Sequence, residues 1–144
     1  MATNTAGASG IVNADRNGPY TLHKRLLYSD WAGTNNDAHI VGYLPPFSVV
    51  VANASAVFVK TGFDDTTGDD LDIGISGGDD DWFASALDLN TAPVLLTLDD
   101  LTDTERYSAS ARTVTANFTT APTGNGTAGE VHIWIGYYIA GTPR

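Results

Sequence analysis

Glu130-Val131-His132-Ile133-Trp134-Ile135-Gly136-Tyr137-Tyr138-Ile139 is the stretch that decides the fold of this chain. Val131, Ile133, Ile135, Tyr137 and Ile139 form one unbroken apolar row, while His132, Trp134, Gly136 and Tyr138 take the opposite row. That is period two, and therefore a β-strand. One row is a core face. The other carries Trp134 and Tyr138 where a solvated strand would carry charges or threonines, and large aromatics left outside a core are what protein contacts recruit.

Just upstream, Gly124-Asn125-Gly126-Thr127-Ala128-Gly129 matches the G-x-G-x-x-G pattern of dinucleotide sites. Such a site needs its glycines to open a helix whose N-terminus holds the pyrophosphate. Here they lead into the β-branched run of residues 130–139, so the reading is a strand connection.

Working further outward, strands are expected at Tyr20–Tyr28, Phe47–Val51, Ala56–Thr61, Asp70–Ser76, Trp82–Leu89, Pro93–Leu98 and Thr113–Thr119, punctuated by glycine and proline. In Asp70–Ser76 the residues Leu71, Ile73 and Ile75 point inward and Asp70, Asp72, Gly74 and Ser76 outward; a slip of one residue would drown three aliphatics. Asp30–Asn36, with Trp31, reads as loop, and Leu98–Arg106 as one helical turn or a polar connection. Short strands at near-even spacing predict an all-β, single-domain β-sandwich, jelly-roll-like, over residues 19–144. Residues 1–18, small and polar without periodicity, predict a flexible or extended N-terminal arm.

Composition narrows the function. There are 17 acids against 7 bases, a net charge of −10, which argues against nucleic acid and against anionic membrane surfaces, since both need a basic footprint. The absence of cysteine removes disulfides, thiolate metal sites and cysteine nucleophiles. Without a basic-then-apolar leader or a long apolar run, a soluble chain made without a secretion signal is expected. His23, His39 and His132 show no ligand spacing, and no G-x-S-x-G elbow is present, so no catalytic residue is assigned and no enzyme is expected. Between Asp64 and Asp81 lie eight aspartates and no lysine or arginine. Solvated loop carboxylates, a basic protein partner and an irregular calcium site are the alternatives left open there; no cofactor is predicted.

Leu44-Pro45-Pro46-Phe47-Ser48-Val49-Val50, Ala56-Val57-Phe58-Val59-Lys60-Thr61-Gly62-Phe63, Gly68-Asp69-Asp70-Leu71-Asp72-Ile73-Gly74 and Gly126-Thr127-Ala128-Gly129-Glu130-Val131-His132-Ile133 resemble small tailed-bacteriophage virion proteins of the head decoration, cement or head fibre type. The likeness spans roughly residues 40 to 139 as a pattern; Trp134 departs from the plainer, threonine-rich outer rows of that family's last strand. The resemblance implies a jelly roll that sits as a homotrimer on the outside of an icosahedral head and bridges subunits of the major capsid protein. It implies a protein made in the host cytoplasm and carried on the capsid exterior. From the basic N-terminal stretch and the aromatics, the expected interface comprises Arg16, Tyr20, Lys24, Arg25, Trp31, Trp134 and Tyr138. The alternative from another class is a carbohydrate-binding β-sandwich of a head or tail fibre, stacking sugars on Trp31, Trp82 or Trp134.

Overall fold

A computed structural model describes residues 20–31, 37–66 and 69–140; the expected arm and Arg16 lie outside the described residues. Among the described residues the strands are β1 (Tyr20–Leu27), β2 (His39–Leu44), β3 (Ser48–Val50), β4 (Ala56–Thr61), β5 (Asp70–Ile75), β6 (Ala84–Asp88), β7 (Val94–Leu96), β8 (Tyr107–Ser108), β9 (Arg112–Phe118) and β10 (Glu130–Ile139). Their antiparallel pairs are nested: β1 with β10, β2 with β9, β3 with β8, β4 with β7, β5 with β6. The chain is thus one long hairpin. Curling it brings β10 against β4 and β3, and β9 against β5, which closes two sheets ordered β1-β10-β4-β7 and β2-β9-β5-β6. This is the jelly roll, with the short pair β3–β8 continuing the first sheet.

The decisive strand lies inside the first sheet. Val131, Ile133 and Ile135 are fully buried and share one core with Leu71, Ile73, Val114 and Phe118 of the other sheet, each burial contributing about 2 kcal/mol. β1 covers one edge of β10 from Tyr137 to Glu130, while β4 and β3 share the other. Between β3 and β4 the chain makes a 3-10 turn, Ala52–Ala54, that loops out opposite Gly136. The ladder is kept by other means: Val51 N–H donates to the Gly136 carbonyl at 2.8 Å, and Gly136 N–H donates to Ser55 Oγ at 2.9 Å.

Three expectations are corrected. The loop reading of Asp30–Asn36 fails at its start, because Tyr28–Trp31 forms a 3-10 turn that drives the indole of Trp31 into the core, 4.3 Å from the Phe118 ring. The strand His39–Leu44 was not expected; its register shifts between Ile40 and Gly42, so the inward residues Val41 and Leu44 stand three apart and the period-two signal is lost. Finally, the outward row of β5 is solvated only at its ends, Asp70 and Ser76, and is covered in the middle at Asp72 and Gly74. The β5–β6 connection folds back so closely over Gly74 that a Cβ there would lie 2.3 Å from the Asp79 carbonyl, and Asp72 is buried, accepting from Ala86 N–H and Thr119 Oγ1 at 2.8 Å.

The polar stretch before β8 does form a turn of helix, Asp103–Arg106, opened by a Thr102–Glu105 capping box. Its carbonyls end on Arg112, a buried guanidinium that donates to the carbonyls of Glu105 (2.8 Å) and Arg106 (3.1 Å) and lies over the Phe83 ring.

Candidate docking face

The outer face of the first sheet is built by the even positions of β10 and their cross-strand partners. His23 and Arg25 of β1 stand opposite Trp134 and His132. On the other side Phe58 of β4 stands opposite His132, and Leu95 of β7 opposite Phe58. Further along, Tyr138 faces Val49 of β3, which faces Tyr107 of β8. Because the turn Ala52–Ala54 sits over Gly136, the face is divided into two fields, one around Trp134 and one around Tyr138. Leu95, Tyr107 and Tyr138 are 66%, 48% and 40% exposed, an accumulation of apolar surface that a solvated sheet does not need.

The Trp134 field also carries charge. The rings of His23, His132 and Trp134 lie nearly parallel, with His23 4.8 Å from Trp134. Glu130 closes this field: it takes Arg25 Nε at 2.7 Å and Lys60 Nζ at 3.2 Å, and its carboxylate is held down to about 2, first by Arg25, with His132 and Lys60 adding. An ionised Glu130 can only accept, so the 3.1 Å contact to His132 Nε2 makes that nitrogen the donor. His132 Nδ1 is then the acceptor for His23 Nε2–H at 3.0 Å. Two fixed cations and the His132 imidazole therefore surround one carboxylate, with His23 bonded behind His132.

The expected interface residues scatter. Trp134, Tyr138 and Arg25 share the outer face. Tyr20 and Lys24 fall on the inward row of β1, opposite Tyr137 and Ile133; both are half-buried, and Tyr20 packs its ring 5.4 Å from that of Tyr137. Trp31, 1% exposed, is a core residue, and the expectation that it meets a partner is withdrawn on that ground. Phe58, Leu95 and Tyr107 were missed; Phe58 was legible as the outward residue of Val57-Phe58-Val59, whereas Tyr107 sits in a two-residue strand that gives no pattern.

The aspartates divide by use. Asp65 is a buried hub that accepts from Tyr28 Oη, from Thr123 Oγ1 (2.5 Å) and from the N–H groups of Thr123, Gly124 and Gly126. Asp64 beside it accepts from Thr127 and Ala128, and these donors hold its carboxyl below the ordinary range. The glycine-rich segment is thus a connection strapped down by two carboxylates, in agreement with the reading against a nucleotide site. Gly126 lies under the Tyr28 ring, where a Cβ would approach to 2.5 Å. Asp79, Asp80 and Asp81 bring their ligand atoms within 4.8 Å of one another at the surface.

Fold and face together define an all-β jelly roll with an aromatic, locally basic outer sheet on an acidic body. Solved structures share this fold. A chain of the cyanophage Pam1 capsid asymmetric unit matches at 18% identity with a TM-score of 0.55, over 83% of this chain and 84% of that one. A chain of the capsid of Ralstonia phage GP4 matches at 21% identity and a TM-score of 0.51, over 86% of each. A chain of the acid-stable capsid of Helicobacter pylori bacteriophage KHP30 aligns at 13% identity with a TM-score of 0.48. No protein-family model and no curated protein matches the chain.

Proposed function

We propose that this chain is a structural protein of a bacteriophage virion, a decoration or cement protein that binds the outside of an icosahedral head as a homotrimer and bridges neighbouring major capsid subunits. The observation that carries the reading is the jelly roll held in common with chains of two phage capsids along more than four fifths of each partner's length. The two-field outer face supports it, because a cement protein works through protein contact and stabilises the shell by adding contacts to its closed state. The sugar-stacking alternative finds no free indole among those considered for it. Trp31 is buried, Trp82 is half-buried with Nε1–H donating to the Glu105 carbonyl at 3.3 Å, and Trp134 lies against His23. Cosedimentation of the purified chain with phage heads stripped of their decoration tests the reading. Saturable binding that raises the temperature of head rupture is expected; tryptophan fluorescence that responds to glycans, with no head binding, would replace it with the lectin reading.

A further inference from the structure

The molecule is electrically lopsided. Arg25 and Lys60, with side chains 52% and 57% exposed, converge on the single carboxylate of Glu130, so the Trp134 field carries an excess of positive charge on a chain of net −10. The opposite character gathers where the β5–β6 connection meets the segment after β7. Ser85 ties them together, its Oγ donating to Asp81 and its N–H to Asp99 Oδ1, so that Asp79–Asp81 and Asp99–Asp100 share one end of the sandwich. Of the described cations near that end, Arg112 is buried and Arg106 is paired with Asp103. One surface thus has two cations sharing one carboxylate beside the half-buried rings of Trp134 and Phe58 and the exposed Leu95, and another has carboxylates in excess of cations.

We propose that the occupant of the first sheet's outer face is a second copy of this chain, which brings its Asp79–Asp81 turn to Arg25 and Lys60 while Phe58, Leu95 and Trp134 are covered.

 Leu95, the most exposed of these side chains at 66%, is the one that contact shields most. The contact joins two different surfaces, so it is head-to-tail, and repeated with a fixed rotation it closes into a ring of few copies. This deepens the proposed function, resting on its homotrimer, and supplies a reason for the acidity of the far end: that end is the complement of the basic field.

The test is a charge-swap cycle read by sedimentation velocity, with each variant's thermal melt as the folding control. Lys60→Glu and Asp80→Lys should each weaken self-association at least about tenfold, and the combined variant should recover most of the loss. Asp80 lies in an exposed turn, so its variant remains informative even if Lys60→Glu, set beside Glu130, folds poorly. A wild-type chain that stays monomeric, single variants that assemble normally, or a double variant without recovery would each overturn the inference. Head binding measured on the same samples separates the two ideas. Variants that keep assembly but lose head binding assign the face to the shell and refute the second-copy occupant; recovered assembly without head binding supports the occupant and removes the decoration reading.

Discussion

Replacing Asp69 by asparagine should stabilise the protein at neutral pH and change it little in acid. The Asp69 side chain is buried with no hydrogen-bond partner for Oδ1 among the described residues, and burial, followed by the charge of Asp65, raises its carboxyl from 3.8 to about 6. Below 3.8 the folded and unfolded chains are both protonated at this residue, and it contributes no pH dependence. Between 3.8 and about 6 the unfolded chain releases a proton that the folded chain keeps, so stability falls as pH rises, and above about 6 the loss is constant. The span corresponds to about 3 kcal/mol, from which the unpaired amide N–H of the asparagine takes back about 1 kcal/mol. A net gain of about 2 kcal/mol at pH 8 follows, turning into a net loss of roughly 0.5 kcal/mol near pH 4, where the ionisation penalty has fallen below the cost of the amide. Urea denaturation of both proteins at the two pH values measures it. A variant less stable than wild type at pH 8, or a difference that does not change with pH, would refute the reasoning.

Asp65→Ala should lower stability by at least about 3 kcal/mol in urea, since it strips the acceptor from Tyr28, Thr123, Gly124 and Gly126 at once. The same variant should lower the Asp69 titration midpoint followed by NMR, because the neighbouring charge is gone. Gly136→Ala would place a Cβ 2.5 Å from the Ala54 carbonyl and so push the 3-10 turn away, an expected loss of about 2 kcal/mol; an unchanged melting temperature would show the turn to be free to move. Trp134→Ala and Tyr138→Ala should keep the fold, since neither ring belongs to the core, while weakening self-association or head binding about tenfold or more. A large loss of monomer stability with assembly unchanged would assign the rings an internal role.

Strands with clean alternation were legible because one face is dry and the other is not. Glu130–Ile139 and Ala56–Thr61 came out at their observed bounds, and Asp70–Ile75 within one residue. What hid the rest was tertiary. The β-bulge at Ile40–Gly42 scrambled the β2 pattern, and the middle of β5 buries Asp72 and Gly74, outward residues that local chemistry assigns to water. Trp31 was misplaced for a related reason: a tryptophan near glycine and asparagines looks like loop, and it is the rings of His39 and, distant in the chain, Phe63 and Phe118 that give it a core site. Half of the docking face was readable from β10 alone. The other half, Arg25 with Lys60 and Tyr107 with Val49, depends on strand neighbours far apart in the chain.

The nested pairing of strands carries a consequence for how the molecule is born. Closing β5 on β6 spans few residues, but the outermost pair joins partners such as His23 and His132, 109 residues apart, so the loop entropy to be overcome grows with every shell of the nest. The β1–β10 ribbon should therefore be the last to zip. Since that ribbon carries Arg25, His23 and Trp134, the proposed docking face would be completed only in this last step, and a half-made chain would lack that part of it.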